Sequence, residues 1–416
     1  MRRVVITSVG VMSAIGRSFR DFTAALLAGS SGARWLKDGL IQGDAVGDVR
    51  FAAFIPGFPL GARTGEINGW HRSFHFAVHA IRQLVERAPL VGDCGRQVGL
   101  CSGVGIGQLF PESLSLPSTE LIAWREAIGR PNGFDTPSAI RAHADSSTVE
   151  LVRRFDFGGL AQTFMGTCSA ATHACLQAVD EVRDGAELCI GGGHDSLISM
   201  AGLHFMHGLG TLASEGAPED AVKPFDLNRD GTIVGEGAAY FLFEEYEHAV
   251  RRRAPIFAEV LGGAASLDGY HVTAPDPGCE AGIRMLRDAI ECAGIRATDV
   301  DYVNAHGTGT VANDGVEARI IREGLSGHDP LVSSSKPQVG HLIGACGAIE
   351  LAACLSALRE QRVPPNRNLR NPDPECPLRL PMGPAAVADI DVVLTNSFGF
   401  GGQNSCMILR RAQGTA

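Results

Sequence analysis

Short apolar runs alternate along this chain with longer stretches whose apolar residues recur at helical spacing. Residues 3–10 predict a strand, and residues 18–28, with Phe22, Leu26 and Leu27 on one side, predict a helix that Gly29 ends. Strand followed by helix is the opening of an α/β unit. Residues 35–66 carry no clear period and turn at Pro56-Gly57, and Val98 to Gly107 reads as a strand entering a glycine-rich turn. The apolar run Leu160–Met165 leads through Gly166-Thr167-Cys168-Ser169-Ala170 into a helix in which Ala174, Leu176, Ala178, Val179 and Val182 share a face, ending near Gly185. Leu188–Ile190 then runs into Gly191-Gly192-Gly193 as a buried strand, which places Cys168 inside a βαβ unit. A polar loop, 223–237, enters a strand at 238–243, and a helix at 244–253 closes on Arg251-Arg252-Arg253, where basic residues complement the helix C-terminus.

Near residue 254 the alternation starts again, with a strand at 256–262, a helix at 280–293 and a strand at Val300–Asn304. Ser335 to His341 precedes a helix containing Gly344, Gly347, Glu350 and Leu351. Seven prolines in 364–384 predict an extended surface connection, followed by a strand at Val392–Asn396, a loop through Asn404 and a return strand, Ser405–Leu409. The repeated order of elements divides the chain into residues 1–253 and 254–416.

At 416 residues, with 45% hydrophobic and 20% charged positions, the chain has the composition of a folded globular protein rather than a disordered one. Thirty-six basic against 46 acidic residues give a net charge of −10, which argues against nucleic acid as the main partner and requires a local basic patch for any anionic one. The 11 cysteines form no CxxC pair and no zinc-like spacing, the pattern of a reducing compartment. Met1-Arg2-Arg3 before an apolar run imitates a signal peptide, but Thr7, Ser8 and Gly10 interrupt the run and no cleavage motif follows. No apolar stretch approaches the roughly 18 residues of a membrane span, so the expected location is cytoplasmic, with no membrane partner.

Chemistry concentrates at three places. Cys168 stands at a strand-to-helix turn, where unpaired backbone N–H groups and the helix dipole favour a thiolate; a small buried thiol is the competing reading. His306 stands at the end of a strand, in Ala305-His306-Gly307-Thr308-Gly309-Thr310 with Asn313, Asp314 and Glu317 beyond, and His341 ends Ser335-Lys336-Pro337-Gln338-Val339-Gly340-His341. A cysteine with two histidines fits a generic Cys/His hydrolase. His71, His75 and His79 share a helix face, but Arg72 occupies the place of the zincin glutamate, so packing or subunit contact is preferred to a metal. His204 and His207 read as core or interface histidines. Gly103 to Gly107 resembles a dinucleotide fingerprint only loosely, because Glu120 to Ile128 reads as helix rather than as a second strand ending in an acid.

The words around these residues are more specific. Thr167-Cys168-Ser169-Ala170, His306-Gly307-Thr308-Gly309-Thr310, Lys336 with Gly340-His341, Gly347-Ala348-Ile349-Glu350, Asn371-Pro372-Asp373-Pro374-Glu375-Cys376 and Asn396-Ser397-Phe398-Gly399-Phe400-Gly401-Gly402 occur in that order. Together they resemble the β-ketoacyl-acyl carrier protein synthases, the ketosynthases of the thiolase superfamily, and Thr273-Ala274-Pro275-Asp276-Pro277 leans towards the elongating, KAS II-like branch. The resemblance implies an α/β, five-layer αβαβα thiolase-like fold of two similar halves, the first carrying the cysteine and the second the histidines and a glycine-rich gate loop. It implies a homodimer, or a heterodimer with a related subunit, that works on an acyl carrier protein without metal or redox cofactor. Cys168 would accept the acyl group, with His306 and His341 completing a triad. Lys336 and Glu350 would form the supporting polar network. The backbone amides of Cys168 and Phe400 would make the oxyanion hole, with Phe400 also the gate. Thr308, Thr310, Phe398, Gly399 and Gly401 would contact substrate.

Some positions depart from common members: Ile140 to Ser147, Thr232 after Arg229-Asp230-Gly231 where an aromatic is frequent, and His194-Asp195-Ser196 after the triple glycine. They leave specialised polyketide or polyene synthesis open beside primary fatty-acid elongation. A thiolase acting on acyl-CoA would need a C-terminal Cys-x-Gly, where this chain has Gly399-Phe400-Gly401-Gly402. A chain-length-setting partner subunit would usually lack the nucleophile. Arg63, Arg72 and Arg125 are the candidates for a basic rim that docks an acidic carrier protein.

Overall fold

The computed structural model describes residues 2–36, 49–56, 66–67, 70–88, 97–105, 143–214 and 216–412. Arg63, Arg125, residues 106–107, the helix expected over 120–128 and residues 140–142 lie outside the described residues. Among the described residues ten strands form the main sheet: β1 (Val4–Ser13), β2 (Gly99–Val104), β3 (Ala161–Phe164), β4 (Leu188–Ser196), β5 (Glu236–Glu245), β6 (Ala258–Leu267), β7 (Tyr302–Asn304), β8 (Leu331–Ser333), β9 (Val392–Gly399) and β10 (Gln403–Arg411). Their spatial order is β8-β7-β9-β10-β6-β1-β5-β4-β2-β3.

Within each set of five, counted along the chain, that order is third, second, fourth, fifth, first. The senses agree as well. β3, β2 and β4 pair in parallel, as do β8, β7 and β9, while the two remaining pairings in each half are antiparallel. The halves join through β1 and β6, antiparallel, with Val4 opposite Val260 and Ile6 opposite Ala258. Duplication, invisible as residue identity, is thus visible as topology.

Two helices occupy the centre. α3 (Ala170–Asp184) and α6 (Cys346–Glu360) each follow the third strand of their half, pack on one another and touch strands of both halves. α2 (Arg72–Arg87) covers the outer face of the first half, and α4 (Glu280–Ala293) with α5 (Val311–Gly324) covers that of the second; α1 is Phe19–Leu27. The result is the αβαβα layering. Every residue of α6 from Cys346 to Leu358 is buried, as expected of a helix that is apolar on all sides. A glutamate in its middle, Glu350, must therefore find a charged partner inside the protein.

Four expectations change. β5 runs on to Glu245, so the helix expected at 244–253 is only Tyr246–Arg251. Glu244 is needed in the sheet, where it accepts from Thr7 and pairs with Arg252 and His248. The proline-rich segment 364–384 runs largely at the surface but is anchored inwards rather than lying free on it: Asn366, Leu369, Asp373 and Cys376 are buried, Asn366 accepts from the Ser334 amide, and Asp373 pairs with buried Arg229 at 2.5 Å. Arg72 is fully buried against Glu236 at 2.5 Å and cannot belong to a docking rim. Burying a guanidinium without that carboxylate would cost far more than surface exposure gains. His71 is the N-cap of α2 rather than part of its face, accepting from the Ser73 amide, and His79 meets the Arg17 carbonyl at 3.1 Å. No helix among the described residues is long and apolar enough to cross a membrane.

Candidate active site

β3 ends at Phe164, and the chain enters α3 through one 3-10 turn, Thr167–Ser169. Thr167 takes φ +48°, a conformation that costs a β-branched residue free energy. Its hydroxyl donates to the Phe400 carbonyl at 3.3 Å, tying the turn to the glycine loop 233 residues away in sequence. The turn presents Cys168. Gly103 packs behind it so closely that a Cβ there would lie 2.4 Å from the Ala171 nitrogen. Close packing therefore accounts for that glycine without a dinucleotide.

The second half supplies the histidines. His306 follows β7, and its amide and that of Gly307 both donate to the Glu317 carboxyl at 2.7 Å. His341 is carried by the loop before α6. Its Nε2 lies 3.2 Å from Cys168 Sγ, and its ring stands edge-on to that of His306 with centroids 5.4 Å apart. One ring nitrogen from each histidine and the sulfur of Cys168 all lie within 4.8 Å of one another. Residues 138 and 173 positions from the nucleophile converge on it because each follows the third-strand or second-strand end of the opposite half.

Hydrogen bonds assign the tautomers. The Ile343 amide, which can only donate, meets His341 Nδ1 at 3.2 Å, so the proton of the neutral ring is on Nε2, facing Cys168. Lys336 Nζ lies 3.2 Å from His306 Nδ1 and also donates to the His306 carbonyl and to Glu350. An ammonium has nothing but donors, so His306 also keeps its proton on Nε2. Burial, reinforced by the charge of Lys336, holds both imidazoles well below their ordinary range. Burial alone would lower Lys336, but Glu350 raises it overall and keeps it cationic. Two neutral rings thus present N–H donors to one space.

Cys168 differs from the sequence expectation. Burial pushes its thiol up to about 12; Lys336 and the Phe400 amide favour the thiolate, while Glu350 and Asp195 oppose it. Burial takes more hydration from an anion here than the turn and the start of α3 return, which favours the thiol at rest. Lys336 and the Phe400 amide both come from the opposite half.

A cavity of about 420 Å³ opens on these groups. Cys168, His306 and His341 line it, and so do Thr308, Thr310, Phe398, Gly399, Phe400 and Gly401, the whole expected substrate set. Lys336 and Glu350 do not line it; they stand behind His306, with Ser397 donating to Glu350 at 3.4 Å. Phe398 packs edge-on against His306 at 6.1 Å as part of β9, whereas Phe400 belongs to the turn Phe400–Gly402, in which Gly401 and Gly402 take φ +76°. A Cβ at Gly402 would lie 1.9 Å from Asp268 Oδ1. Thr232, in the place of the frequent aromatic, is buried at the cavity wall.

Sequence reasoning gave Glu317 and Asp314 no role. Asp314 accepts from the Phe225 and Gly309 amides and lies 3.7 Å from Arg229. Two acids three apart on the buried face of α5, beside Ala318 and Ile321, were the available signal. Asp195, which accepts from the Gly344 amide at 3.0 Å, and Cys346 beside His341 had no such signal.

Comparison with known proteins agrees with this geometry. Residues 1–249 match the family described as "Beta-ketoacyl synthase, N-terminal domain", and residues 257–370 match "Beta-ketoacyl synthase, C-terminal domain". The 3-oxoacyl-[acyl-carrier-protein] synthase 2 of Synechocystis sp. is 34% identical over 99% of both chains. Among solved structures, the ishigamide ketosynthase/chain length factor superposes with a TM-score of 0.86 at 32% identity, covering 99% of each chain. A type II PKS acyl-carrier protein in complex with its ketosynthase bound to the hexaketide gives 0.88 at 26% identity, covering 99% of this chain and 100% of that one. With both family domains in sequence and a thiolase-like fold in space, this chain belongs to the beta-ketoacyl synthase family.

Proposed function

We propose that this chain is a β-ketoacyl-acyl carrier protein synthase that holds an acyl group on Cys168 and extends it by two carbons from a malonyl thioester. The observation that carries the reading is the pair of Nε2–H donors, on His306 and His341, meeting at Cys168 inside one cavity. Cys168 attacks the acyl thioester; its C–S bond forms, the carrier's C–S bond breaks, and the thiol proton passes to the departing carrier sulfur. The backbone amides of Cys168 and Phe400 stabilise the oxyanion at that stage.

Malonyl thioester then loses CO₂. The electron pair of the broken C–C bond moves onto the thioester oxygen, where the two histidine donors receive it, each worth about 2.7–4 kcal/mol by analogy with other oxyanion holes. Neutral donors suit this step, since neither ring gives up a proton. The enolate carbon attacks the acyl-cysteine, and Cys168 leaves as a thiolate that takes a proton from solvent. Lys336 and Glu350 act through His306, orienting it and keeping it neutral.

The chain divides at about residue 254 into a nucleophile half and a histidine half, matching the repeated strand order. An acyl carrier protein is the partner, and the subunit pairs with a copy of itself or a related ketosynthase-like chain. In support, β3 is an outer strand of the sheet and Met165 beside it is 44% exposed. Retention of Cys168 favours a catalytic subunit over a chain-length-setting one, and the loop Gly399–Gly402 lacks the second cysteine of a thiolase.

The test is intact mass after incubation with a panel of acyl-carrier proteins, beside Cys168→Ala, followed by malonyl-carrier protein. An adduct on the wild type alone, discharged with two added carbons, is the expected result and identifies the preferred chain. No adduct from any donor would refute catalysis by the isolated chain.

A further inference from the structure

His341 can serve the reaction proposed above only with its proton on Nε2, the nitrogen that faces Cys168. Two groups meet the opposite nitrogen. The Ile343 amide donates to Nδ1 at 3.2 Å, from a turn in which Ile343 itself takes φ +46°. Cys346 Sγ stands 2.9 Å from the same nitrogen and accepts the Leu342 amide at 3.2 Å. Because Nδ1 accepts from the Ile343 amide and carries no proton of its own, the hydrogen in the contact between Cys346 and His341 is the thiol's. Burial pushes the Cys346 thiol well above its ordinary range, against the pull of Lys336, so the hydrogen stays in place. Cys346 is buried at the first residue of α6 and is not among the groups lining the cavity, which excludes it as a second nucleophile.

We infer that Cys346 is a positioning residue for His341: its thiol hydrogen bond to Nδ1, beside the one from Ile343, holds the imidazole in the Nε2–H tautomer and aims that proton at the cavity. The inference rests on the condensation reading. The groups that face the ring are Cys168 before Nε2, His306 edge-on, Lys336, whose charge opposes a second proton, and Cys346 itself; Glu350 and Asp195 act on the neighbouring Cys168. Without the thiol, Nδ1 keeps a single donor and becomes more basic. A ring protonated on Nδ1 alone turns a lone pair towards the substrate oxygen and cannot stabilise its charge. A doubly protonated ring pairs with the Cys168 thiolate and carries its reactivity to lower pH.

The experiment compares wild type, Cys346→Ala and Cys346→Ser as full chains, with thermal melting and thiol stoichiometry as controls of folding. For decarboxylation of malonyl-carrier protein, Cys346→Ala is expected to lose about tenfold in kcat with KM unchanged, the size of one hydrogen bond to a neutral group. Cys346→Ser, which keeps a donor, restores most of it. Alkylation by iodoacetamide, read by peptide mass at Cys168, should have its pH midpoint moved lower in Cys346→Ala and returned in Cys346→Ser. Wild-type kcat and an unmoved midpoint in Cys346→Ala, or a loss that serine does not restore, overturns the positioning role. Should the wild type not decarboxylate malonyl-carrier protein, the condensation reading fails, and the alkylation midpoint alone then decides the contact between Cys346 and His341.

Discussion

The Lys336–Glu350 pair gives the sharpest separation of structure from chemistry. Both side chains are almost completely buried, at 1% and 2% exposure, so solvent screens neither. Lys336→Met keeps the length of the side chain but leaves Glu350 in the centre of an apolar helix without a counter-charge. Removing one partner of such a pair costs about 3–5 kcal/mol. Unfolding entropies of about 2.1 cal/mol/K per residue give about 0.9 kcal/mol/K for this chain, so Tm should fall by about 3–6 °C. Glu350→Gln should fall by a similar amount, because it strands the ammonium. The double variant Lys336→Met with Glu350→Gln removes both charges, and its Tm should return most of the way to wild type. Decarboxylation should not return: His306 Nδ1 has lost its donor, the ring is free to change tautomer, and a loss of about 10²–10³ in rate is expected, the size of one missing oxyanion donor. Differential scanning fluorimetry and a CO₂-release assay on the four proteins complete the cycle. A double variant as unstable as either single one would refute the ion-pair argument. Wild-type decarboxylation in Lys336→Met would refute the role assigned to Lys336.

His306→Ala and His341→Ala should each form the acyl-cysteine while losing about 10²–10³ in decarboxylation, as measured by intact mass and CO₂ release; loss of acylation in both would make the histidines part of nucleophile activation instead. Because the folded state holds both imidazoles well below 6.5, the unfolded chain binds their protons first, so their contribution to stability is present above pH 6.5 and declines as pH falls below it. Decarboxylation in the folded enzyme should accordingly stay level as pH is lowered through 6.5, and a titration centred there would contradict the assignment. Gly402→Ala should slow acylation of Cys168 by carrier-bound donors, since its φ of +76° and the 1.9 Å approach to Asp268 force the loop to shift; unchanged single-turnover rates would show that the loop absorbs a side chain.

Much of the site could be read from sequence because its residues stand at element ends. A strand, a glycine turn and a helix in succession locate Cys168, and the same logic locates His306, His341 and the loop around Phe400. Periodicity also delivered helix Glu280–Ala293 to the residue. Local pattern failed where a distant partner decided the outcome. Glu244 extends β5 because Thr7 and Arg252 await it, and Arg72 lies inside the protein because Glu236 does.

The sequence by itself determined most of the order of elements and the family, and through that resemblance named the candidate reacting groups, since these depend on residue type and on neighbours along the chain. Only the tertiary structure decided protonation. Whether Cys168 rests as a thiol, which nitrogen of each histidine carries its proton and why Lys336 stays charged all follow from burial and from donors that folding brings in from distant positions. Ile343 and Cys346 act on His341, Lys336 acts on His306, and Phe400 acts on Cys168. Electrostatic effects reach through space, and the spacing of residues along a chain does not record them.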